Sequence, residues 1–139
     1  RITGLQLELG SQATAFEHRS FGDELALCQR YYFKMDSDDG TSTMFGTGWV
    51  NNGNEGIAII HFPVKLRDAP SALEQSGTPS HYRLNEKDAN HNGTSGPLFS
   101  TCGTNTATVS LTVSSAPAGR PIFLRSNNAS AFLAWSAEL

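Results

Sequence analysis

The stretch Thr108-Val109-Ser110-Leu111-Thr112-Val113-Ser114 alternates strictly between polar and apolar side chains. Successive side chains of an extended strand point to opposite faces, so this pattern predicts a strand with one buried face and one exposed face. Shorter strands are expected at 82–84 and 122–124. At the end of the chain, Leu133, Trp135, Ala137 and Leu139 are spaced to share one face of a further strand over 131–139. The chain is therefore expected to be mainly β.

One apolar segment differs from these alternating strands. Ile57–Val64 is apolar at consecutive positions, which predicts a central strand covered on both faces. Within it, His61 is expected to be a core or interface histidine. Pro63 should lie at the end of the strand, because proline cannot donate a hydrogen bond to a neighbour. Residues 85–106 have little apolar content and are expected to form the longest loop.

Composition agrees with a β fold. Ser, Thr, Asn and Gly together account for 49 of the 139 residues, and charged residues for only 17%. Such a mixture is poor for helices and suits short strands joined by turns. We predict a small antiparallel β-sandwich with one N-terminal helix.

The helix is predicted over 20–35. Ser20 is a good N-cap residue, and Asp23 is three positions further on, where a carboxylate can bond back to the cap. Apolar side chains then recur at intervals of four and three, which is the spacing of a coiled-coil seam. These candidate trimer-interface residues are Phe21, Leu25, Cys28, Tyr32 and Met35.

Two interpretations of this helix remain open. It could be an amphipathic helix that packs on its own sheet, or a short trimerisation stem at a three-fold axis. In both, Cys28 is expected to be buried. The helix would separate residues 1–19, the end strand of an upstream module or an N-terminal arm, from a C-terminal receptor-binding β domain over 36–139. Within 1–19, the alternating leucines of residues 2–9 predict a strand.

Charge and hydropathy exclude several partners. The net charge of −3, with no block of Lys and Arg, is unfavourable for sequence-independent binding to nucleic acid or to an anionic membrane. Apolar runs such as Ile57–Ile60 are far shorter than the roughly 20 residues of a membrane-spanning helix. Two cysteines are too few for a disulfide scaffold, and either two free thiols or one bridge is possible.

Motifs for catalysis or metal binding are absent from the sequence. The four histidines lack metal-site spacing, and Asp36-Ser37-Asp38-Asp39-Gly40 departs from a calcium loop because glycine occupies the fifth position. No nucleophile-elbow, phosphate-loop or zinc-protease motif occurs. We expect no catalytic residue, no metal and no cofactor, although two distant carboxylates could still cooperate in sugar hydrolysis.

The remaining signal is a surface rich in amide, hydroxyl, imidazole and aromatic groups. Sugars present hydroxyls on an apolar ring, so these groups suit glycan recognition. The candidate ligand-binding residues are Trp49, Asn51, Asn52, Asn54, His81, Tyr82, His91 and Asn92.

Several stretches together resemble the C-terminal portion of tail fibres and other virion structural proteins of tailed bacteriophages. The resemblance covers the first 35 residues well, including Glu24-Leu25-Ala26-Leu27-Cys28-Gln29-Arg30-Tyr31-Tyr32, and touches Phe62-Pro63-Val64-Lys65-Leu66-Arg67-Asp68-Ala69-Pro70. Residues 2–10, 13–19 and 137–139 add to the resemblance. The chain departs from the family at Leu66, where methionine is usual, which concerns packing alone.

The resemblance implies a homotrimeric virion protein at the tip of a tail fibre, where it would bind host surface polysaccharide without cleaving it. Three identical shallow sites would then gain affinity through multivalency. Two alternatives are a purely structural trimerisation or virion module without a ligand and, less favoured, a capsule depolymerase.

Overall fold

The computed structural model describes residues 9–12, 15, 20–37 and 42–138. The strand expected over 2–9 and most of the 1–19 segment lie outside these ranges, as do residues 38–41 and Leu139. The elements in chain order are α1 (Phe21–Gln29), β1 (Tyr32–Asp36), β2 (Met44–Asn52), β3 (Glu55–His61), β4 (Glu74–Gln75), a 3₁₀ turn (Pro79–His81), β5 (Tyr82–Asn85), β6 (Asn90–Asn92), β7 (Leu98–Cys102), β8 (Thr106–Thr112), β9 (Pro121–Ser126) and β10 (Phe132–Ser136).

The strands form two antiparallel sheets, as the sequence predicts. The larger sheet has the order β6-β5-β9-β2-β3-β8-β7, and the smaller has the order β1-β10-β4. Every strand pair within these sheets is antiparallel. Apolar side chains of both sheets form one core, which classes the fold as a sandwich.

The core lies against one face of the seven-stranded sheet. Val109 and Leu111 of β8 are buried there, which confirms the strand expected over 108–114. From the smaller sheet, Leu133 and Trp135 of β10 are fully buried, as their spacing predicts. Burying a large side chain of this kind contributes about 1.5–3 kcal/mol.

Helix α1 is shorter than predicted. Its N-cap is confirmed, because the backbone N–H of Asp23 donates to Ser20 Oγ at 3.1 Å. The helix ends at Gln29, and Tyr32 already begins strand β1. The helix predicted over 20–35 is therefore wrong in its second half, where aromatic residues favour an extended backbone and pair with β10.

The coiled-coil seam is therefore wrong, because its five residues occupy two different elements. Tyr32 and Met35 lie in β1, where residues three apart point to opposite faces. Met35 packs against the core, whereas the hydroxyl of Tyr32 donates to Glu74 Oε2 at 3.3 Å. Phe21, Leu25 and Cys28 remain on α1.

Helix α1 also does not bury a face on the sheets. None of its side chains is buried, and Phe21 is 82% exposed and Leu25 44% exposed. The expected burial of Cys28 is wrong, because this residue is an exposed free cysteine. Cys102 is also free, so the alternative of one disulfide bridge is wrong.

The long loop expected over 85–106 and the cover expected on both faces of the 57–64 strand are both wrong. Residues 85–106 contain strands β6 and β7, which form the two edges of the larger sheet. Strand β3 ends at His61, before Pro63 as expected, but only one of its faces is covered. Ala58 and Ile60 are buried, whereas Ile57 and Ile59 are half-buried and His61 is exposed and outside the core.

Candidate functional site

The uncovered face of the seven-stranded sheet carries exposed apolar side chains. We call it the outer face, meaning the side chains that point away from the three-stranded sheet. In β9, Ile122 and Leu124 are buried in the core while Phe123 between them is 42% exposed. Trp49 of β2 is equally exposed. Large exposed aromatic groups on a sheet face indicate a binding surface rather than a packing requirement.

Strand register brings these aromatic residues together. Trp49 pairs with Ile57 of β3 on one side and with Pro121 of β9 on the other. Two residues earlier in β2, and on the same face, Thr47 pairs with Ile59 and with Phe123. Neighbours in the same face of an antiparallel pair have Cβ atoms about 4.5–5.5 Å apart, so the outer face is a continuous platform.

A groove of about 530 Å³ runs over this platform. We call it the outer-face groove. Its lining residues are Thr47, Gly48, Trp49, Ile59, Asn85, Lys87, Pro121, Ile122 and Phe123. Gly48 leaves no room for a larger residue, because a Cβ there would collide with the carbonyl oxygen of Ile57.

Positive charge borders the outer-face groove. Lys87 is exposed and lines it, following the end of β5. The guanidinium of Arg125 lies over the Phe123 ring, 5.3 Å from the ring centroid. Arg125 Nε is buried and has no hydrogen-bond partner among the described residues. None of the described residues that line the groove is acidic, so it offers stacking, hydrogen bonding and positive charge rather than a carboxyl group for acid catalysis.

Of the predicted ligand residues, the structure places Trp49 in the groove and the three turn asparagines beyond it. Asn51 Nδ2 donates to Glu55 Oε2 at 3.0 Å, and Asn52 Nδ2 lies 3.5 Å from the same oxygen. The backbone N–H of Asn54 donates to Asn52 Oδ1 at 3.0 Å. These bonds stabilise the β2–β3 turn, in which asparagine side chains commonly bond to nearby backbone.

Tyr82 is a structural residue, and its prediction as a ligand contact is wrong. It is fully buried, and its hydroxyl donates to the carbonyl of Phe132 at 2.6 Å and accepts from the Ser76 N–H at 3.0 Å. It therefore ties the two sheets together. His81, half-buried beside it, has Nδ1 3.0 Å from Ser76 Oγ and does not approach the groove lining.

His91 and Asn92 lie on edge strand β6. His91 Nε2 lies 3.0 Å from Oε1 of Glu86, whose side chain is only 3% exposed. Arg120 Nη1 lies 3.5 Å from the other oxygen of that carboxylate. Asn92 is exposed and pairs with Arg83 of β5, at the margin of the outer face. Neither residue lines the groove.

Of the nine lining residues, sequence reasoning predicts only Trp49 and misses the other eight, among them Asn85, Lys87 and Phe123. Phe123 could have been found, because the strand expected over 122–124 places it opposite Ile122 and Leu124. Asn85 and Lys87 had no such signal, since their position depends on the pairing of β5 with β9.

A second cleft of about 640 Å³ lies beside helix α1. We call it the helix cleft. It is lined by Asp23, Ala26, Leu27, Arg30, Val64, Lys65, Leu66 and Arg67. The backbone N–H of Arg67 donates to the carbonyl of Arg30 at 2.7 Å, which attaches the 64–67 segment to the end of the helix.

Within the described ranges, no group of three or more His, Cys, Asp or Glu residues is placed to hold a metal ion. In the same part of the chain, no helix is both long and apolar enough to cross a membrane.

No protein-family model, curated protein or solved structure matches this chain.

Proposed function

We propose that this chain is a non-catalytic carbohydrate-binding domain at the tip of a bacteriophage tail fibre, which adsorbs the virion to host surface polysaccharide. The observation that carries the proposal is the outer-face groove, with Trp49 and Phe123 exposed on a rigid sheet. The assignment to a virion rests on the resemblance of residues 24–32 and 62–70 to tail-fibre proteins.

The chemistry of the groove fits a sugar chain. The apolar faces of Trp49 and Phe123 can contact the C–H face of a sugar ring, and an aromatic side chain buries a large area at small entropic cost. Thr47 and Asn85 supply hydroxyl and amide groups for sugar hydroxyls.

The test is binding of the wild-type chain to an array of bacterial capsular polysaccharides and lipopolysaccharides. Replacing Trp49 by Ala should weaken binding by at least about tenfold, because an aromatic anchor at the centre of an interface commonly contributes more than about 1 kcal/mol. Leu98→Ala is the matched control, because Leu98 is exposed on strand β7 outside the groove. Its binding should be unchanged.

Two results would contradict the proposal. One is that the wild-type chain binds no polysaccharide on the array. The other is that Trp49→Ala binds as well as the wild type.

The homotrimer is part of the same proposal and is supported by helix α1. Phe21, Leu25 and Leu27 are exposed on a nine-residue helix with no buried side chain. An isolated helix of this length is marginal in water, so contacts with other subunits would stabilise it. The same observation favours the second candidate function, a structural assembly module without a ligand.

Light scattering tests the assembly. We expect a mass near three times 15.0 kDa for the wild-type chain and a folded monomer for Leu25→Asp, since a charge would be buried between subunits. A trimer that survives Leu25→Asp would show that α1 is not the contact. A trimer that binds no polysaccharide would leave the structural module as the function.

A further inference from the structure

The charge around the outer-face groove is opposite in sign to that of the whole chain. The sequence has a net charge of −3 and contains 13 acidic residues. The groove nevertheless contains Lys87 and no described acid. Asp88 follows Lys87 in the chain but does not line the groove. A local excess of positive charge in a groove raises the concentration of an anionic ligand there.

Lys87 is available to a ligand. It is exposed, and no carboxylate of the described ranges pairs with it. Lys34 of the smaller sheet, by contrast, is paired with a carboxylate, because its Nζ lies 2.8 Å from Asp36 Oδ1. Lys87 therefore lies at the groove with its three N–H donors directed to no internal acceptor in the described structure.

Arg125 extends the positive charge along β9. Its guanidinium is held over the Phe123 ring, so the charge is fixed beside an aromatic face that a sugar ring would contact. Arg83, its neighbour on β5, is engaged within the fold instead. The guanidinium of Arg83 lies 3.4 Å from Asn127 Oδ1 and 3.3 Å from Ser42 Oγ, which engages it within the fold.

Two acidic residues of these strands are already engaged within the fold. Glu55 is the first residue of β3, next to the β2–β3 turn, and accepts hydrogen bonds from Asn51 and Asn52. Glu86 follows β5, but its side chain is only 3% exposed and lies 3.0 Å from His91 Nε2 and 3.5 Å from Arg120 Nη1.

We propose that the ligand of the outer-face groove is an acidic polysaccharide, whose carboxylates are bound by Lys87 and Arg125 while Trp49 and Phe123 contact its sugar rings. This inference rests on the proposed function and narrows its ligand to chains that carry uronic acids or other carboxylated sugars. Hydrogen bonds between a cation and a carboxylate are about twice as strong as neutral ones, which gives selectivity over neutral polysaccharides.

The experiment compares three sets of probes on the intact chain. They are acidic capsular polysaccharides, neutral capsular polysaccharides, and the same acidic polysaccharides after carbodiimide and borohydride reduction, which converts carboxylates into primary alcohols. We expect binding to one or more acidic polysaccharides, loss of that binding after carboxyl reduction, and weaker binding as salt rises from about 0.1 M to about 1 M.

Substitutions assign the contact. Lys87→Gln should weaken binding to the acidic polysaccharide by about tenfold, as expected when one charge-assisted hydrogen bond is lost. Lys87→Arg should retain most of the affinity, because the positive charge is kept. Lys65→Gln is the matched control, since Lys65 is an exposed lysine of the helix cleft. Its binding should equal that of the wild type.

The outcomes separate this inference from the proposed function. Equal binding to neutral or carboxyl-reduced polysaccharides would overturn the acidic ligand and leave carbohydrate binding in place. Unchanged binding of both Lys87→Gln and Arg125→Gln would overturn the assigned contacts. Failure to bind any polysaccharide would overturn the proposed function together with the inference.

Discussion

The two faces of the seven-stranded sheet carry similar apolar residues in very different surroundings. On the inner face, Ile60, Val109 and Leu124 are at most 1% exposed beneath the three-stranded sheet. On the outer face, Trp49 and Phe123 are each 42% exposed. Both faces belong to the same strands, so strand propensity cannot account for the difference. What differs is whether a second layer covers the side chains.

The inner face is covered in part by a cluster of aromatic side chains. Trp135 of β10 lies under Phe33 and Phe62, with ring centroids 6.2 Å and 5.4 Å away. Phe33 and Phe62 meet edge to face at 5.5 Å. Such aromatic pairs add about 0.5–1.5 kcal/mol beyond the area they bury. The fold therefore depends on the inner face, and the outer aromatic residues are free to serve binding.

The two tryptophans give the most direct test of this comparison. Trp135→Ala should lower the free energy of unfolding by about 3–5 kcal/mol, because it opens a cavity in the core. Trp49→Ala should change it by less than about 1 kcal/mol, since its indole is already 42% exposed. Urea unfolding followed by circular dichroism measures both.

Each tryptophan variant is the control for the other, as both remove the same side chain. If Trp49→Ala proved as destabilising as Trp135→Ala, the outer face would be covered in the folded protein. The groove would then be an internal contact rather than a ligand site.

A second test removes one polar group from each face. Tyr82→Phe removes the hydroxyl that bonds Phe132 and Ser76, and should cost about 1–3 kcal/mol because it leaves buried backbone groups without a partner. Asn92→Ala, at the margin of the outer face, should stay within about 0.5 kcal/mol of wild type. Equal losses at the two positions would contradict the division into a structural and a free face.

The sequence predicts the inner face better than the outer one. Alternation in 108–114 and in the last strand correctly predicts that Val109, Leu111, Leu133 and Trp135 are buried, because burial on one face leaves a period of two in the sequence. It misses Ser110 and Ala134, which are buried as well. The same rule misreads β3. Its outer residues Ile57 and Ile59 are only half-buried among the described residues, and an apolar run does not distinguish a second layer from an open platform.

The predicted site residues show a related limit. Aromatic character predicts Trp49 and Tyr82 alike as ligand contacts, but Trp49 is exposed and Tyr82 is buried. The distinction depends on parity along β5, where Leu84 shares the inner face with Tyr82. The predicted helix is too long because apolar spacings of four and three also fit a coiled coil. The pairing of Tyr32–Asp36 with β10 is a long-range contact, which local spacing does not reveal.

The smallest expected effect concerns the two cysteines. Cys102 packs at the edge of the core, and burial raises the pKa of its thiol. Since the thiolate is the reactive form, its alkylation by iodoacetamide at pH 8 should be slow and should accelerate as the pH rises toward this raised pKa. Cys28 is exposed on α1. Peptide mass spectrometry after timed alkylation measures the two rates separately.

In the proposed trimer, Cys28 and Cys102 would be protected from alkylation for different reasons. If subunits meet through α1, contacts between subunits protect Cys28, whereas burial within the subunit protects Cys102. Dissociation of the trimer should therefore change the alkylation rate of Cys28 alone. Leu25→Asp should therefore accelerate alkylation of Cys28 and leave Cys102 at its wild-type rate. Rapid alkylation of Cys102 in both the wild type and Leu25→Asp would mean that edge strand β7 opens readily. Cys102 would then not belong to the stably buried inner face. An unchanged rate at Cys28 would mean that α1 stays uncovered in the assembled protein, as the outer face is.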